Sequence, residues 1–105
     1  MRSKPRDTIS AAIRAAAAAG RPAVVGFMTG GFPDRAGFRR NLAAIGGEAD
    51  VVEIGVPFSD PMADGMTIQR ASQVALRGGF TLPWLRDELR QIQPRPNAPL
   101  LLMSY

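Results

Sequence analysis

Apolar positions along the 105 residues recur with two different periods, and the alternation between them outlines the fold. Ile9, Ala12, Ile13 and Ala16 fall on one face at helical spacing, with Asp7 or Thr8 placed to cap them. They predict a helix over residues 8–19 that Gly20 and Pro22 end. Residues 23–29, AVVGFMT, form a short continuous apolar run rich in β-formers and bounded by Pro22 and Gly30-Gly31, which predicts a buried strand. After the turn GGFPD, Phe38, Leu42 and Ile45 repeat at i, i+4 and i+7, the stripe of an amphipathic helix over residues 34–45.

The second strand is VVEIGVPF, residues 51–58. A helix with Ile68, Ala71 and Ala75 on one face follows the next loop and stops at Gly78-Gly79. Another runs over residues 81–92 on Leu82, Leu85, Leu89 and Ile92. The proline-rich residues 94–99 cannot continue a helix, and LLLMSY opens a third strand. Strands alternating with helices imply βαβ units, an α/β fold and a parallel sheet whose strands are apolar on both faces. A third strand with no covering helix after it predicts that the chain is truncated and folds poorly by itself, because such a sheet exposes its edges.

Composition removes several chemistries. There is no cysteine and no histidine, so disulfides, thiolate metal sites and imidazole bases are absent, and proton transfer falls to carboxylates or Tyr105. The net charge of +4 raises the question of a nucleic-acid partner. The arginines are scattered singly or in pairs, and the aromatics lie inside apolar runs instead of between basic residues; both features describe solvated helix faces. The N-terminal residues do not form a signal peptide, since Asp7 and Arg14 interrupt a run of weakly apolar alanines. A cytoplasmic protein is the expectation.

Candidate chemistry concentrates in residues 49–65, ADVVEIGVPFSDPMADG. Strand alternation puts Val51, Glu53 and Gly55 on one face and Val52, Ile54 and Val56 on the other. Glu53 is then an ionisable group in an otherwise apolar strand, where a carboxylate is costly unless hydrogen-bonded or protonated. Such a group is either a general acid or base or a glutamate held by a backbone or arginine partner. Pro57 and Pro61 each fix a backbone angle in the loop after it, which carries Asp60 and Asp64, and loops at the C-terminal ends of parallel strands are where such folds build active sites. Turn chemistry is the alternative for both aspartates, and Asp64 is also placed to cap the following helix.

The segment VVEIGVPFSDPMADGMTIQRAS resembles the hallmark stretch of the tryptophan synthase alpha subunit family, and the likeness extends upstream to VGFMTGGFPD and downstream to PLLLMSY. It implies the N-terminal portion of a TIM (β/α)8 barrel with an extra N-terminal helix, residues 1–105 being a partial domain of about three strands; intact barrels run to about 250 residues. It implies a carbon-carbon lyase of tryptophan biosynthesis that cleaves indole-3-glycerol phosphate to indole and glyceraldehyde 3-phosphate. Glu53 is implied as the general acid-base, and Asp64 as the acceptor of the indole N–H. Phe27, Thr29 and Leu102 are implied to lie at the indole pocket, and Pro57 and Asp60 in a loop contacting the beta subunit of an alpha2-beta2 tetramer. No cofactor or metal is implied in this chain, since pyridoxal phosphate belongs to the beta subunit. The glycine-rich phosphate loops of the family are not in these residues, so the 105 residues alone are expected to be inactive. Met66 replaces a proline usual in the family, and Ser104 stands where some members have tyrosine. The alternatives are another phosphate-handling barrel and a non-catalytic piece that keeps only the docking loop.

Overall fold

A computed structural model describes residues 5–58, 64–92 and 96–104. The chain folds as α1 (Pro5–Ala18), β1 (Val25–Thr29), α2 (Arg35–Glu48), β2 (Val51–Gly55), α3 (Met66–Arg77), α4 (Leu82–Gln91) and β3 (Leu100–Met103). The three strands form one parallel sheet in the order β1-β2-β3. None of the described helices is long and apolar enough to cross a membrane.

Local chemistry explains most of the boundaries. Proline is tolerated at the start of α1 because its missing N–H is one that has no helical partner there. The Asp34 side chain accepts from the Gly37 N–H at 2.7 Å and starts α2, and the Thr81 hydroxyl accepts from the Trp84 N–H at 3.1 Å and starts α4. The helix α2 runs to Glu48, beyond the expected stop at residue 45. Gly46 lies inside the helix, at the point where it approaches the connector, since a Cβ there would lie 2.6 Å from Pro96 Cβ. Strand β2 ends at Gly55, earlier than expected, although the Val56 N–H still bonds the Met103 carbonyl at 2.8 Å. Pro57 has no N–H with which to extend that ladder.

The core lies on one face of the sheet. Met28, Val52 and Ile54 pack there against Phe38 and Leu42 of α2, Ala75 of α3 and Leu85 of α4. Phe38, Leu42, Val52, Ile54 and Leu85 are fully buried. Trp84 extends this cluster, meeting Phe38 and Phe80 edge-on at centroid distances of 5.8 and 5.9 Å, with the Arg35 guanidinium over its ring at 5.3 Å. Arg39 and Glu88 form a two-point ion pair that ties α2 to α4.

A second ion pair fixes the starts of the strands. Arg21 Nη1 and Nη2 donate to Asp50 Oδ2 and Oδ1, both at 2.8 Å. Asp50 Oδ2 also accepts from the Val24 N–H at 2.8 Å, while the Asp50 N–H returns a bond to the Val24 carbonyl at 2.9 Å. The Arg21 hydrogen bonds, then that from Val24, hold the Asp50 carboxyl down to about 2. The outer strands remain open: Val25 of β1 and Leu101, Leu102 and Met103 of β3 are all exposed.

Candidate functional site

The register decides which side chains share the face opposite the helices. Phe27 pairs with Glu53, Thr29 with Gly55, Glu53 with Leu101 and Gly55 with Met103. Paired residues of parallel strands point to the same side, so Phe27, Thr29, Glu53, Gly55, Leu101 and Met103 line one face. At the C-terminal ends of these strands a cavity of about 330 Å³ opens, bordered by Phe27, Thr29, Gly55 and Met103 from the sheet. Asp64 borders it from the loop, and Ile68 and Ser72 from α3.

The turn after β1 follows directly on Thr29, which borders the cavity. The Gly30 N–H bonds the Gly55 carbonyl at 2.9 Å, and Gly31 then adopts φ +80°, a conformation that L side chains rarely take. A Cβ at Gly31 would also press on the Phe80 ring at 3.0 Å. Thr29 is thereby buried at the mouth of the turn.

Phe27, Thr29 and Asp64, selected from the sequence, meet around this one cavity. Glu53 sits half-buried on the same sheet face, one pair below Gly55, although it does not itself border the cavity. Among the described residues no hydrogen bond or ion pair engages its carboxylate; the arginine pairs go to Asp50, Glu88 and Asp87. An arginine-held structural glutamate is therefore not what these residues make of it. Asp64 does not cap α3 with its side chain: the capping position is Gly65, and Asp64 contributes its carbonyl to Gln69 Nε2 at 2.8 Å.

The remaining candidates lie elsewhere. Leu102 pairs with Ile54, which belongs to the helix-packed face, and it is outside the cavity lining, where Met103 and Ser104 stand instead. Its 48% exposure reflects a β3 that no described helix covers. Pro57 is buried within the chain, and Asp60 lies outside the described residues. Two contributors escaped the sequence reading. Gln69 was visible in the TIQ triplet but had no assigned partner, and Gly55 gave no signal beyond strand alternation.

A parallel α/β layer whose strand ends frame a cavity bordered by Asp64, with Glu53 on the same sheet face, has the layout in which such folds bind their ligands. Comparison with known proteins specifies the family. The family model for the tryptophan synthase alpha chain matches residues 13–105. The tryptophan synthase alpha chain of Nitratidesulfovibrio vulgaris strain Hildenborough is 50% identical over 94 residues, 89% of this chain and 37% of that protein. That of Deinococcus radiodurans is 41% identical over 97 residues, 92% of this chain and 36% of that protein. The crystal structure of tryptophan synthase from M. tuberculosis in its aminoacrylate-bound form superposes with a TM-score of 0.83 at 30% identity, covering 93% of this chain and 40% of that one. The alpha subunit from Legionella pneumophila gives 0.83 and 30%, covering 93% and 38%. The chain belongs to the tryptophan synthase alpha chain family, and its fold is an N-terminal portion of that TIM barrel. It spans a little over a third of the length of the curated relatives it matches.

Proposed function

We propose that this chain supplies the indole end of a lyase site that cleaves indole-3-glycerol phosphate to indole and glyceraldehyde 3-phosphate in tryptophan biosynthesis. Glu53 moves protons between the indole C3 and the glycerol hydroxyl, and Asp64 accepts from the indole N–H and stabilises positive charge as the ring tautomerises. Phe27 and Thr29 border the space for the ring. The observation that supports this reading is the meeting of Phe27, Thr29 and Asp64 around one cavity at the strand ends, with a Glu53 carboxylate that no described residue engages in register with Phe27. This proton chemistry needs no cofactor in this chain. The phosphate is held by groups outside these residues, so the 105 residues alone do not turn over. A beta subunit docking on the loop that begins at Pro57, and a cytoplasmic location, complete the proposal.

The test is Glu53→Gln in the full gene product. It keeps the shape and removes the proton carrier, so indole release should fall by about 10²- to 10⁴-fold. Substantial residual turnover would sink the role assigned to Glu53.

A further inference from the structure

We propose that Gly55 is a positioning residue for this reaction: because it lacks a Cβ, the Phe27 ring lies against the sheet, and the ring's depth there sets the width of the cavity beside Asp64. The inference rests on the functional reading above and adds a residue to it.

Phe27 is paired with Glu53, yet its ring reaches diagonally forward onto the next residue of β2 with the same orientation. A Cβ at Gly55 would lie 2.6 Å from Phe27 Cζ, 2.9 Å from Cε2 and 3.7 Å from Cε1. Carbon atoms rest at about 3.5–4.0 Å, so the ring tip would have to retreat by about 1 Å. The backbone cannot yield in its place. The Gly55 carbonyl accepts from the Gly30 N–H at 2.9 Å, and β2 is bonded on both sides, to β1 and to β3. The ring is the movable partner, since Phe27 is only half-buried.

The direction of that retreat links the contact to the reaction. Gly55 and Phe27 both border the cavity, and a Cβ at position 55 projects from the face that carries Phe27 and Glu53. Because the ring borders that cavity, its displacement off the sheet reshapes the space proposed for the planar substrate ring. A misplacement of about 1 Å in a site that orients its substrate can cost about 100-fold in rate. If Gly55 only served strand packing, its replacement would lower stability without a selective effect on substrate.

The experiment is a double-mutant cycle in the full gene product with the parent, Gly55→Ala, Phe27→Leu and the double variant, measuring indole release and thermal midpoint. Gly55→Ala should lower kcat/KM by about 10- to 100-fold, with more of the loss in KM than in kcat. Adding Phe27→Leu removes the ring tip and should restore at least tenfold of that loss. A Gly55→Ala enzyme within twofold of the parent overturns the proposal, as does a double variant whose loss is the product of the single losses. If Gly55→Ala does not fold, the double variant should fold and turn over, and its failure to fold is equally fatal. A parent that releases no indole refutes the functional reading itself. The contact between the two residues is then decided by whether Phe27→Leu recovers the thermal midpoint lost in Gly55→Ala.

Discussion

Gln69 offers a measured way to ask whether Asp64 works through its position. Its side-chain amide donates to the Asp64 carbonyl at 2.8 Å, and its backbone N–H donates to the Gly65 carbonyl at 3.0 Å. One residue of α3 thus fixes the two peptide units that carry the loop aspartate to the cavity. Gln69→Leu keeps the bulk and the helix but deletes the amide. A neutral hydrogen bond of this kind contributes about 0.5–1.5 kcal/mol net, and water reaches this half-buried site, which softens the loss. At about 1.4 kcal/mol per factor of ten, kcat/KM for indole release should fall about 2- to 13-fold. Asp64→Ala removes the acceptor itself, a charge-assisted bond of about 1.5–3 kcal/mol, and should cost more, about 13- to 160-fold. Because Gln69 acts through Asp64, the double variant should be no slower than Asp64→Ala alone. Initial rates of the three variants of the full gene product decide the matter. Parent-like rates for Gln69→Leu, or losses that multiply with those of Asp64→Ala, would refute the reasoning.

Two further expectations concern stability. The Asp50 carboxyl is held at about 2 in the folded chain, below its ordinary 3.8. Its contribution is fully present above about pH 4 and disappears as the pH falls towards 2, because there the unfolded chain takes up a proton first. Asp50→Asn should flatten thermal midpoints over that window relative to the parent, and parallel curves would contradict the assignment. Leu42→Ala deletes a fully buried side chain from the cluster between α2 and the sheet, and should destabilise by about 2–5 kcal/mol, visible as a lower urea midpoint at unchanged slope.

The starts of α2 and α4 are set by local chemistry that residue identity signals, whereas α1, expected from residue 8 behind an Asp7 or Thr8 cap, starts at Pro5. Asp34 and Thr81 are side-chain caps that the neighbouring residues demand, and Gly78 follows the last turn of α3 as expected. Gly46 shows the limit, since the close approach that leaves no room for a Cβ there involves Pro96, which arrives about 50 residues later in the chain. The same division holds at the site. Strand alternation placed Glu53 and Gly55 on one face, and the register confirms that placement. No periodicity within β3 indicates which of its faces meets that of Glu53, because this follows from pairing with β2; Leu102 falls with Ile54 and Met103 with Gly55. Gln69 was hidden for a similar reason. Its partner is a backbone carbonyl, which leaves no trace in residue identity.

The clamp between Arg21, Asp50 and Val24 stands at the end of the strands remote from the cavity, yet it governs which residues reach it. Side chains alternate with a period of two, so a slip of β1 by one residue against β2 would exchange Phe27 for Met28 beside Glu53. Asp50 grips the chain at Val24, one residue before β1 begins, and so sets the phase of every pair above it. In a genetic selection for tryptophan independence, lesions at Asp50 would therefore score with those at Glu53, although the two carboxylates share no partner among the described residues. Suppressors would tell them apart: a change that strengthens strand pairing can rescue the first and has nothing to offer the second.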